Sequence, residues 1–355
     1  MKKILDLICV IMFFSIIVMF AVSALFFQGA APGSAKSQSD LEQQLSEHFP
    51  LQGSWQTLRT SILLAAGKTE IDGTFLVNSG VIKPSKQVSS EASEKLCGYI
   101  NDFASQHEGQ GVFVCIIPSP SGIYSADIPS VGVGFDQRGF IDDFYYGLDS
   151  SVVTLDAYSP LYASRENYIF FRTDESLTSS GAFGVYYSFI RKMGFVPRPY
   201  SDYDSEHAMI GYIGSLCTEL NIRRRITPDN IELLTPKNGT VVTSVSAFDG
   251  ERTDEFRSVF DRGALSGSSP LDVFCYGSRY KRLDIKTVNR DYPRLLIVKT
   301  ARTDPLIPFV ISHYSRVTVI DADAASGDNI DDLTDPGSFD QVLFLLDIDS
   351  IERLV

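Results

Sequence analysis

Apolar positions along this chain fall into three patterns, and each predicts a different kind of element. The first pattern is an unbroken run: residues 7–27 carry no charge, with Lys2, Lys3 and Asp6 in front. As a helix these 21 residues rise about 31 Å, matching a hydrocarbon core of roughly 30 Å. Lysines before the run and none close behind it place residues 1–6 in the cytoplasm and the bulk of the chain outside. The competing reading is a cleaved signal peptide, for which Ala21-Val22-Ser23-Ala24 has suitable small residues. The apolar stretch of a signal peptide is normally about 7–15 residues, so a single-pass anchor in the cell membrane is expected over 7–27. Residues 28–40, rich in Gly, Ala, Ser, Pro and Gln, read as a linker, and 41–355 as an extracytoplasmic domain.

The second pattern is helical spacing, found over residues 40–49, 54–68, 90–107, 140–148, 178–193, 209–220 and 305–314. The third is short, continuous, β-branched and aromatic runs that predict buried strands: 112–118, 152–156, 168–171, 231–234, 240–245, 294–298, 317–321 and 342–346. Asn78-Ser79-Gly80 between Phe75-Leu76-Val77 and Val81-Ile82 predicts a hairpin. The stretch up to Tyr276 reads as irregular, and the Asp-rich segment 321–340 as a solvated loop. Buried strands separated by helices predict an α/β fold, a mostly parallel sheet covered on both faces.

Composition narrows the function classes. The chain is 44% hydrophobic, enough for a sizeable core, and its net charge of −13 argues against holding nucleic acid or another polyanion by bulk electrostatics. Arg223-Arg224-Arg225 reads as a solvated turn. Beyond the apolar run lie Cys97, Cys115, Cys217 and Cys275, with no Cys-x-x-Cys pair, and no two of the four histidines share a helical face at ligand spacing. No metal or cofactor is expected. Two disulfides are permitted, with three connectivities, although Cys115 inside its strand reads as a buried free thiol.

One segment carries more information than the rest. Tyr168-Ile169-Phe170-Phe171-Arg172-Thr173-Asp174-Glu175-Ser176-Leu177-Thr178-Ser179-Ser180-Gly181-Ala182 resembles the signature of the DHHW family, a strand followed by Arg-Thr, Asp-His-His-Trp-Thr and Gly-Ala. Further blocks follow the family's order: Ile117-Pro118-Ser119-Pro120 through Ile128-Pro129, Gly214-Ser215-Leu216 with Pro228-Asp229, Asp272 to Ser278, and Leu295 to Pro308-Phe309. The resemblance spans roughly residues 50–350. It implies a flavodoxin-like sheet of the SGNH-hydrolase type, similar to proteins of alginate O-acetylation. A Ser-His-Asp site acting on acyl esters of exported polysaccharide, beside a membrane-bound O-acyltransferase partner, goes with it.

That resemblance also shows what is missing. The orienting acid corresponds to Asp174, but the two histidines correspond to Glu175 and Ser176, of which Ser176 stands where the base should be. The nucleophile corresponds to Ala301, the acid before it to Thr300, and the oxyanion-hole amide to Ser278. Losing a triad serine or histidine costs on the order of a millionfold in turnover, and a surviving oxyanion hole leaves roughly 10³-fold over water. These six positions therefore read as a vestigial site with no catalytic residue, in a pseudoenzyme that binds or helps assemble cell-envelope polysaccharide. The alternatives are an active O-acetyltransferase or acetylesterase with a non-standard site, and a purely structural envelope subunit. A rebuilt site would draw on Thr300 or Thr303 as nucleophile and on Glu175, His207 or His313 as base. An ordinary carboxylate near 4.3 suits Glu175 poorly to that task, and His313 reads as a cation at a helix C-terminus. Tyr145, Tyr146, Tyr276 and Tyr280 are candidate sugar-stacking rings.

Overall fold

Four runs of branched and aromatic residues, buried almost end to end, form the centre of the protein: β4 (Gly111–Ile117), β11 (Arg294–Lys299), β12 (Arg316–Asp321) and β13 (Gln341–Asp347). The computed structural model describes residues 10–15, 17–18, 52–78, 80–129, 134–222, 226–239 and 241–354. Residues 10–15 and 17–18 are helical, and the rest of the expected anchor, the linker, the expected helix 40–49 and Arg223-Arg224-Arg225 lie outside the described residues. Among the described residues, no helix is long and apolar enough to cross a membrane.

The chain divides into two compact units, residues 1–68 with 220–222, and residues 69–219 with 223–355. In the first, α1 (Gln52–Ala65) is the expected helix, and Asn221 Nδ2 donates to Gln56 Oε1 at 3.0 Å. The second holds the sheets. A small antiparallel sheet of β1 (Glu70–Ile71), β2 (Thr74–Val77) and β3 (Gly80–Ile82) contains the predicted hairpin. The eight-stranded sheet adds β5 (Val152–Leu155), β8 (Val242–Phe248), β9 (Thr253–Phe256) and β10 (Arg282–Thr287), in the order β5-β4-β13-β11-β12-β10-β8-β9. The five strands from β5 to β12 are parallel, and β10, β8 and β9 continue the sheet antiparallel.

Counted cyclically from β11, the parallel strands run 2-1-3-4-5 across the sheet, the doubly wound flavodoxin order. Chain order begins that cycle at β4, so the expected sheet is present in circularly permuted form. Two-residue alternation sends Leu295, Ile297, Leu343 and Leu345 to one face, with Tyr186, Phe189 and Phe309. Leu296, Val298, Val342 and Phe344 go to the other, with Leu96, Ile100, Phe103 and Phe144. The flanking helices include α2 (Ser90–Gln106), α3 (Gln137–Tyr146) and α4 (Ser179–Phe189), each capped by the side chain before it: Ser89, Asp136 and Thr178.

Several expectations are corrected. Residues 209–220 are not one helix: β6 (Tyr203–Tyr212) pairs antiparallel with β7 (Asp229–Pro236), and a short helix, Ser215–Glu219, follows. Cross-strand pairing, which local spacing cannot report, decides that conformation. The stretch before Tyr276 contains β9, and β10 after it also lacked a legible signal; both are short and carry charges. Residues 168–171 form only an isolated bridge, Phe170 with Leu177. Asp321, placed in the solvated loop, is 2% exposed. Cys97, Cys115, Cys217 and Cys275 are all free thiols.

Candidate functional site

In a doubly wound sheet the ligand crevice lies beyond the carboxyl ends of the strands, where the strand order reverses. Here that point falls between β11 and β13, so the chain leaving Lys299 enters it directly as Thr300, Ala301 and a 3-10 turn, Ala301–Leu306. The segment 168–178 reaches the same place because Asp229, 1% exposed, holds it there. Its carboxylate accepts from Tyr168 OH at 2.6 Å, Arg172 N at 3.0 Å, Thr173 N at 2.9 Å and Thr173 Oγ1 at 2.5 Å. Glycines permit two close approaches: a Cβ on Gly181 would lie 2.1 Å from Ile169 O, and one on Gly214 would lie 2.3 Å from Thr173 O.

The structure brings Ser176, Ser278 and Ala301 into one cleft of about 360 Å³, whose walls include Asp272, Arg302 and Asp304. Asp174 stands behind Ser176. One oxygen accepts from Ser176 Oγ at 2.8 Å and Ser176 N at 3.1 Å; the other accepts from Tyr212 OH, Ser215 N and Ser215 Oγ, each at 3.1 Å. The group that the carboxylate of Asp174 holds from position 176 is thus a hydroxyl. Ala301 is exposed, and its N–H donates to Asp323 Oδ2 at 3.0 Å. Ser278 follows three consecutive residues in the left-handed region, Cys275, Tyr276 and Gly277, at φ 50°, 66° and 58°. The two non-glycine residues store on the order of 1–3 kcal/mol each in the loop that carries Ser278.

Threonine is no substitute nucleophile. Thr300 is fully buried with its Oγ1 accepting from Asp347 N at 2.7 Å, and Thr303 Oγ1 donates to Thr300 O at 2.8 Å. Nor does a histidine of the described residues line the cleft. His207 is exposed on β6, 3.0 Å from Glu232 Oε1, and His107 stacks on Phe103. His313 is not a helix-end cation: it is 6% exposed, its Nε2 lies 2.8 Å from Tyr186 OH, and burial, helped by Arg198, lowers its pKa to about 4. It is neutral in the core.

Two ion clusters flank the tip of β11. Lys299 Nζ is buried between Asp321 Oδ2 at 2.5 Å and Asp304 Oδ1 at 2.7 Å. Burial opposes the lysine charge, but the two carboxylates more than offset it and raise its pKa. Burial also pushes Asp304 up to about 7 against the pull of Lys299. On the other side Arg302 binds Glu175 Oε2 and Asp349 Oδ2, both at 2.5 Å. Burial outweighs Arg302 and lifts Glu175 to about 7, which corrects its expected ordinary acidity. Glu175 nevertheless faces a narrow crevice with Asp347 and Asp349 rather than the main cleft. Sequence reasoning missed Arg302, although it adjoins Ala301 just as Glu175 adjoins Ser176. It also missed Asp349, beyond the recognised blocks.

The four candidate rings do not form a sugar platform. Tyr145 is committed to Ile116 N and Leu155 O, Tyr276 is 3% exposed and stacked on Phe256, Tyr280 bonds Asp254, and Tyr146 projects at 93% exposure.

The sequence profile of the DHHW protein family matches residues 64–320. No curated protein matches. Among solved structures, a DHHW family protein from Eubacterium siraeum is similar over 79% of this chain and 90% of its own, with a TM-score of 0.66 and 23% identity. Bacillus cereus PatB1, solved with a sulfonyl adduct, is similar over 78% of this chain and 97% of its own, with a TM-score of 0.64 and 16% identity. At such identities the likeness concerns the fold, whereas the profile match covers well over half of the sequence: this chain belongs to the DHHW family.

Proposed function

We propose that this DHHW-family protein is a non-catalytic, membrane-anchored component of the cell envelope that holds polysaccharide in the cleft at the tip of β11. The observation that carries this reading is the cleft itself: Ala301 lines it where the family resemblance implies a nucleophile, and Asp174 grips the hydroxyl of Ser176 rather than an imidazole. The scaffold around it is intact: Asp229 and Asp174 retain nine hydrogen bonds between them. Such a site keeps its shape and its polar walls without the means to break an ester. The family resemblance to proteins of alginate O-acetylation supports a polysaccharide ligand and a neighbouring membrane-bound O-acyltransferase. The uncharged run 7–27 supports the anchor.

Purified protein is expected to hydrolyse 4-nitrophenyl acetate no faster than buffer between pH 5 and 9. Installing Ser176→His with Ala301→Ser is expected to produce turnover above that background. Saturable turnover in the natural protein, abolished by Ser176→Ala, would overturn the proposal. One observation favours a second reading, an esterase or O-acetyltransferase with an altered site: Glu175, lifted to about 7, has the basicity of a general base near neutral pH. It lacks a hydroxyl partner, and loss of turnover in Glu175→Gln would be its mark.

A further inference from the structure

A second cleft, of about 430 Å³, opens on the other side of the signature segment. Tyr124 borders it just beyond the short helix Pro120–Ile123 after β4, Tyr162 and Arg165 at the end of the helix Tyr158–Ala163, and Tyr168 and Arg172 on the signature segment. Its two guanidinium groups each lie over a tyrosine ring. Arg172 Cζ lies 4.5 Å over the Tyr168 ring, with Nη1 3.7 Å from Asp229, and Tyr168 OH donates to the same carboxylate at 2.6 Å. Arg165 Cζ lies 4.4 Å over the Tyr162 ring, and its Nη1 donates to Tyr162 O at 3.0 Å. Both arginine side chains are 41% exposed, so most of each guanidinium is fixed in place while N–H groups remain accessible from the cleft.

The charges are compensated locally. Arg165 Nε sits 3.7 Å from Glu166 Oε1, and Arg172 has Asp229. A polyanion would meet those carboxylates and a chain of net charge −13. An apolar ligand would strip water from guanidinium, carboxylate and phenol groups without replacing their hydrogen bonds. A pyranose has the matching chemistry: C–H faces that pack against tyrosine and guanidinium planes, and hydroxyls that both donate and accept. The cleft volume lies within the range of about 300–1,000 Å³ typical of small-ligand sites.

We propose that this cleft is a subsite for one pyranose unit of a neutral glycan. It rests on the reading of the protein as a polysaccharide binder and names the place and the ligand class. Arg172 lines this cleft and Ser176, four residues on, lines the cleft at Ala301, so their Cα atoms are at most about 14 Å apart. A glycan seated here runs toward the cleft at Ala301, and the signature segment serves both.

The test is isothermal titration of the full-length protein with tetra-N-acetylchitotetraose, cellotetraose and tetragalacturonate. A neutral probe is expected to bind and tetragalacturonate not to bind. Tyr162→Ala and Arg165→Ala, both at exposed positions, are each expected to weaken the neutral probe at least tenfold; Tyr146→Ala, distant from the cleft, is expected to leave it unchanged. Binding untouched by Tyr162→Ala and Arg165→Ala but lost with Ala301→Trp would overturn the subsite and leave the polysaccharide reading standing. Failure of every probe would overturn both. Preference for tetragalacturonate, or equal loss with Tyr146→Ala, would overturn the neutral-glycan assignment.

Discussion

Lys299 and Arg302 lie three residues apart at the tip of β11; the lysine is gripped by two carboxylates and the arginine by two, with Asp347 a third at 4.0 Å, and the surroundings differ. The lysine, Asp304 and Asp321 side chains are 1%, 7% and 2% exposed, sealed at the edge of the sheet. The arginine, Glu175 and Asp349 side chains are 31%, 13% and 18% exposed, at the lip of a crevice. The first cluster ties β11 to β12 and to the turn below it. The second ties the signature segment to the turn after β11 and to Asp349. In the buried cluster, where only Asp304 borders the cleft, little water can replace a lost partner. At the lip, water can compensate in part, and proton uptake by Glu175 offers a further escape.

The largest test of that difference is Lys299→Met, which leaves Asp304 and Asp321 buried without a cation. It is expected to cost about 3–5 kcal/mol in urea unfolding at pH 7.5; a loss below about 1 kcal/mol would mean the two acids already share a proton and need no lysine. Asp229→Ala sharpens the contrast with an anchor built mainly on neutral donors. Removing the acceptor of four hydrogen bonds is expected to cost about 3 kcal/mol and to loosen residues 168–173, read by hydrogen exchange.

The last test concerns pH at the lip. Glu175 binds its proton more tightly folded, at about 7, than unfolded, at the usual 4.5. Its contribution to stability is therefore complete below about 4.5 and is lost as pH rises through about 7. Glu175→Gln is expected to remove a decline of about 3 kcal/mol across that window in chemical denaturation series. An unchanged decline would place the titration elsewhere, Asp304 being the other acid lifted to about 7.

Legibility tracks how local each signal is. β4, β11, β12 and β13 were readable because full burial demands continuous apolar runs, and α4 because Thr178 and Gly181 mark its start. β6 was misread: its sequence, YDSEHAMIGY, mixes periods, and pairing with β7 settles its form. That position 301 carries a methyl group and position 176 a hydroxyl is plain in the residues themselves. The elevated affinity of Glu175 for its proton was not, since burial causes it. Nor was the failure of Tyr145 and Tyr276 as stacking rings, since Tyr145 is tied by its hydroxyl to Ile116 and Leu155 and Tyr276 is buried against Phe256.

By itself the sequence determined the α/β class, the family, and the alanine at position 301 and serine at position 176, because each is a property of residue type or short-range spacing. Tertiary structure decided the permuted strand order, the antiparallel extension, the Arg302 clamp and the tyrosine–arginine cleft. Arg302 and Glu175 stand 127 positions apart. Partners so distant are chosen by the three-dimensional path of the chain and by the cost of burying charge unpaired, and no local pattern records either.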